Sequence, residues 1–96
     1  MRDYQPVKNN KFWVPDTVWN TVLWTIRDYD RMKYLPQHSR EIGAICDCMD
    51  MVPDDYFLPV WHSIRYGKPF PNSCRKTCSK WRCKIIHDVA EKMGYV

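Results

Sequence analysis

Apolar residues recur every three or four positions over most of the chain, and prolines mark where that rhythm stops. The first apolar set is Val18, Trp19, Val22, Leu23, Ile26, Tyr29 and Met32, the i, i+3, i+4, i+7 spacing of one buried helix face. Asp16 suits the N-cap, because its carboxylate can accept an N–H that the first turn leaves unpaired. This helix should end near Tyr34, since Pro36 has no N–H to donate and clashes with the preceding turn. Residues 35–38 are then a short connection, of the kind that makes neighbouring helices antiparallel. Ser39 suits the N-cap of a second helix, whose buried set is Ile42, Ile45, Cys46, Met49 and Val52. Gly43 weakens that helix slightly, and Pro53 stops it.

Pro53, Asp54 and Asp55 read as a new helix start. The missing N–H of proline costs nothing there, and carboxylates favour the positive end of the helix dipole. Val60, Trp61 and Ile64 are its candidates for burial, Pro59 about one turn in can shift its start, and Gly67 suits its C-terminal cap. Residues 68–73, Lys-Pro-Phe-Pro-Asn-Ser, can be neither regular helix nor strand, so they form a turn, with a short helical turn opening at Asn72 or Ser73. A final helix is predicted from Arg75 to Met93, ended by Gly94. At about 100° per residue, Cys78, Ile85 and Val89 point inward on it, with Trp81 and Ile86 on the flanks, while Thr77, Lys80, Lys84 and His87 point the other way. The pattern therefore predicts an all-α fold, a small helical bundle over residues 16–96. Residues 1–15 form an N-terminal arm, because Pro6, Pro15 and Asn9-Asn10 oppose regular structure while Phe12, Trp13 and Val14 can dock it. Helix, Pro/Gly turn and a helix with a basic first half, over about residues 54–93, have the outline of a helix-turn-helix.

Composition narrows the class. Ninety-six residues make one core, and with 45% hydrophobic and 15% aromatic residues the chain can bury enough surface to fold. No apolar stretch approaches the roughly 18–20 residues of a membrane span, and the start MRDYQPVKNNKF lacks the apolar run of a secretory signal. The expectation is no membrane partner and a cytoplasmic location. Five cysteines, an odd number without a secretory signal, point to reduced thiols rather than a disulfide framework. Charge changes the picture more. Residues 1–59 carry seven Lys/Arg against nine Asp/Glu, and residues 60–96 carry eight against two. Arg65, Lys68, Arg75, Lys76, Lys80, Arg82 and Lys84 follow one another with no acid between them. Their mutual repulsion is most readily offset by a polyanion, although a solvated basic face has the same composition.

If the last helix is a recognition helix, Thr77, Ser79 and Lys80 can reach base edges while Arg75, Lys76 and Lys84 take phosphates. Metal chemistry fits less well. Cys74 and Cys78, and Cys83 and His87, stand four apart, and Cys46-Asp47-Cys48 adds two thiols, but there is no CxxC knuckle to turn two sulfurs onto one zinc. Cys78 is expected on the core side of its helix and Cys83 on the opposite side, so no metal and no other cofactor is expected. Catalysis finds little support, since no Gly-rich loop builds an oxyanion hole near a Cys–His pair. Asp28 and Asp30 read as surface acids within reach of Arg27, Arg31 or Lys33. Trp19, Trp61 and Trp81 fall on buried faces, whereas Trp24 lies off its face and is available to the arm, a dimer or a partner.

Four runs carry a family resemblance: Val52-Pro53-Asp54-Asp55-Tyr56; residues 60–71, Val-Trp-His-Ser-Ile-Arg-Tyr-Gly-Lys-Pro-Phe-Pro; Thr77-Cys78-Ser79-Lys80-Trp81-Arg82; and residues 89–96, Val-Ala-Glu-Lys-Met-Gly-Tyr-Val. In this order and spacing the chain resembles the small phage and prophage transcriptional regulators of the RinA/ArpU type, which are similar to the promoter-reading fourth region of sigma factors. Residues 24–33 also resemble the first helix of such proteins. The resemblance implies a promoter-binding regulator acting on double-stranded DNA in a bacterial host cell, with host RNA polymerase or another host protein as partner. The short connection at residues 35–39, the arm, and the cysteines at 74, 78 and 83 depart from that pattern. They leave open an alternative from another class, a phage protein that uses the same basic surface to occupy a host protein's nucleic-acid site, as an anti-CRISPR inhibitor does.

Overall fold

The computed structural model describes residues 12–96, which are helical with no strand among them. The greater part of the expected arm, residues 1–11, lies outside the described residues. Five α-helices follow in order: α1 (Asp16–Arg27), α2 (Tyr29–Met32), α3 (Ser39–Met49), α4 (Asp54–Tyr66) and α5 (Arg75–Lys92). Short 3-10 turns at Pro36–His38 and Asn72–Cys74 lead into α3 and α5. No helix among the described residues is long and apolar enough to cross a membrane.

The first helix is shorter than the apolar pattern suggests. It breaks at Asp28, whose φ of −88° and ψ of 9° depart from helical values, and a single turn, α2, carries Tyr29 and Met32 onward. Pro15 rather than Asp16 occupies the N-cap of α1, and His38 rather than Ser39 that of α3. Helix α4 begins at Asp54 and continues through Pro59. The carbonyl that Pro59 leaves without a helical partner is that of exposed Asp55, where water can take the bond. Gly67 ends α4 with φ 67°, a left-handed value that glycine adopts without a Cβ clash.

Helix α5 is the axis of the molecule, with α1, α3 and α4 all packed against it. The core joins Trp19, Val22 and Ile26 of α1, Ile45 and Cys48 of α3, Val60 and Ile64 of α4, and Cys78, Ile85, Ile86 and Val89 of α5. Val14 is fully buried in that cluster, so the residue just before Pro15 belongs to the packed body. Trp24 is 65% exposed, as its position off the buried face predicts.

The central position of α5 changes its expected two-faced pattern. Cys83, expected opposite the core, is buried, and so are Arg82 and Ile86. The reason is that three helices and the segment before α1 surround its middle, so burial there extends well beyond one face. Phe12 lies edge-on to His87 with ring centroids 5.6 Å apart, and the Lys84 ammonium is 6.0 Å from the Phe12 ring. This segment therefore covers part of the arc that the helical wheel assigns to solvent.

Candidate nucleic-acid interface

On the first two turns of α5, neighbouring elements leave a basic arc open. Arg75, Lys76 and Lys80 are exposed there, and Thr77 and Ser79 are half-buried. Spaced at about 100° per residue, Arg75, Ser79, Lys76, Lys80 and Thr77 spread over about 200° of the helix surface. The same arc closes one turn later at Cys83. Arg75, Lys76 and Lys80 form no ion pair among the described residues. Lys68, exposed in the connection, lies 6.0 Å from the centroid of the Tyr66 ring.

The other three cations of the basic run are structural. Arg65 donates to an Asp30 carboxylate oxygen at 2.8 Å, and its side chain is only 8% exposed. Its guanidinium lies 5.0–5.7 Å from the ring centroids of Tyr29, Trp61 and Tyr66, the attraction of a cation for the negative face of an aromatic ring. That hydrogen bond from Arg65 holds the Asp30 carboxyl below its usual range. Arg82 is buried, donates to Ser63 Oγ at 2.8 Å and stacks 5.0 Å over Phe70. One guanidinium thus ties α4, the connection and α5 together. Lys84, expected to take phosphate, is 2.5 Å from Asp88 one turn on and about a third exposed, so it stands apart from the open cluster.

Sequence reasoning placed Arg65, Arg82 and Lys84 with the partner-facing charge and missed what holds them. The wheel carried a signal for Arg82, which lies only 40° from Cys78 on the inward side. Asp88, four residues after Lys84, was the matching signal for the third. The contact of Arg65 with Asp30 spans distant helices, and no local spacing announces it. Arg27 is another such case: its Nε donates at 2.8 Å to the Ile64 carbonyl, one of the last carbonyls of α4 that the helix leaves unpaired.

Among the described residues no three metal-ligating side chains cluster. The thiols of Cys48 and Cys83 are pushed up to about 11 by burial, which disfavours the thiolate that metal binding requires. Their shared environment is apolar helix packing. Cys46 lies 3.6 Å from the Tyr29 hydroxyl, away from both. Comparison with protein-family models, curated proteins and solved structures yields no match for this chain.

Proposed function

We propose that the chain is a phage or prophage transcriptional regulator that binds promoter DNA, with α4 and α5 acting as a helix-turn-helix. The observation that carries this reading is the cluster Arg75, Lys76 and Lys80, exposed on the open turns of α5 without an ion-pair partner among the described residues. Cations so placed favour a polyanion, and the unpaired N–H groups at a helix start add phosphate donors. In this reading Arg75, Lys76 and Lys68 contact phosphates, and Thr77, Ser79 and Lys80 face base edges in the major groove. Lys84 is left out, because Asp88 already neutralises it.

The connection between the two helices, residues 67–74, is longer than the three or four residues of the tightest such turns. Phe70 under Arg82 pins it, which supports a fixed presentation of α5. The sigma-like resemblance of the sequence adds host RNA polymerase as the protein partner at the promoter.

Selection from random duplexes tests the proposal. The expected outcome is enrichment of one sequence family, bound with an affinity that falls steeply as salt rises. Lys76→Ala should weaken binding to all sequences and reduce the slope of log affinity against log salt by about 1. No enrichment and no salt-dependent binding overturns the proposal and passes the basic surface to the inhibitor reading.

A further inference from the structure

We propose that Cys74 and Cys78 form a reversible intramolecular disulfide, which makes the start of α5 a thiol–disulfide site. Cys74 is the N-cap residue of α5, with φ −130° and ψ 18°, and Cys78 stands one turn inside. The Cys78 thiol donates a hydrogen bond to the Cys74 sulfur across 3.5 Å. A disulfide bond spans about 2.0 Å and needs Cβ atoms about 3.5–4.5 Å apart, closer than the roughly 5–6 Å of residues one turn apart within a helix, so the cap residue must move toward Cys78. Because Cys74 sits outside helical backbone geometry, a small shift of this cap residue with rotation of its side chain can close the gap without unwinding α5. No other pair of thiols among the described residues makes such a contact.

Access sets the order of events. Cys74 is half-buried and Cys78 is fully buried, and the Cys78 thiol is pushed up to about 11 by burial and by its bond to Cys74. Cys74 therefore meets the oxidant, for which the chemical class is a small disulfide such as glutathione disulfide. The Cys74 thiolate attacks one glutathione sulfur, and the other leaves as a thiolate that takes up the Cys74 proton. Cys78 then gives up its proton, and its sulfur attacks Cys74 in the mixed disulfide, expelling the second glutathione as thiol. Two protein thiols are oxidised and one glutathione disulfide is reduced to two thiols. The site stands whether or not α5 binds DNA.

Incubating the full chain with glutathione disulfide, trapping free thiols under denaturing conditions and digesting with trypsin tests this. The expected product is the peptide of residues 66–75 joined to that of residues 77–80, with two alkylation sites lost per chain and restored by dithiothreitol. Cys74→Ser, a near-isosteric change at a half-buried side chain on the edge of the core, should keep full helicity and abolish the cross-link. Glutathione retained on Cys74 without the cross-link overturns the proposal. So does pairing of Cys74 or Cys78 with Cys46, Cys48, Cys83 or a second chain, or no loss of alkylation at all.

Discussion

The first two turns of α5 and the turn that follows them carry similar sequence chemistry and opposite structural roles. Arg75, Lys76 and Lys80 on the first two turns are exposed, with no acid bound to them among the described residues. Arg82 and Lys84, past the second turn, are held by Ser63, Phe70 and Asp88. The difference comes from what surrounds the helix, because only past the second turn do the other helices and the segment before α1 close around it. A run of like charges read along a chain thus mixes cations that hold the fold with cations left for something else.

The contrast breaks most visibly when one new charge is placed in each environment. Ile45 packs fully buried in the cluster that includes the second half of α5. Ile45→Asp should cost more than about 4 kcal/mol, the penalty of an unpaired buried charge, and abolish the cooperative helical transition seen by circular dichroism. Lys80→Asp should leave that transition nearly in place.

Removing cations sharpens the same contrast at smaller amplitude. Arg82→Ala leaves the Ser63 hydroxyl without this donor and empties the space beside Phe70, for an expected loss of about 2–3 kcal/mol in urea unfolding. Lys76→Ala should stay within about 0.5 kcal/mol of the parent. An equal response from both would erase the distinction between the two stretches.

The smallest effect is electrostatic and depends on pH. Burial pushes the Asp88 carboxyl up, but hydrogen bonds from Lys84 and His87 outweigh it and hold the group below its ordinary value. A carboxyl depressed in the folded state adds stability that is present at neutral pH and lost as pH falls through its folded value, below about 4. Asp88→Asn should therefore be less stable by about 0.5–1 kcal/mol at pH 7, with the two proteins converging in acid. A difference that persists at low pH would assign the effect to packing instead.

Much of the fold is legible in the sequence because apolar spacing and proline placement are local signals. The starts of α4 and α5, the cap at Gly67 and the 3-10 turn at Asn72–Cys74 all follow from residues within a turn of them. The break at Asp28 is also local, but the apolar period runs straight through it, and periodicity cannot register a backbone change that keeps the face aligned. What the sequence hides is the circumference of α5. Cys83 looks outward on a wheel that assumes one buried side, and only the arrangement of three helices around one makes it interior. For the candidate site, Arg75, Lys76 and Lys80 are neighbours in the sequence, and all three are exposed on the first turns of α5. The removal of Arg65 from that group depends on Asp30, thirty-five positions away.

Helix α5 follows the other four in the chain, and this order governs how the protein is made. While a ribosome is still adding residues beyond Tyr66, the apolar faces of Trp19, Ile26, Ile45 and Ile64 have no axis to close upon. The nascent chain then carries apolar faces that only the last helix covers, and these should be exposed to chaperones. A chain that stops before α5 leaves the buried faces of α1, α3 and α4 without the helix they share, so such a fragment should be cleared by proteolysis faster than the whole bundle.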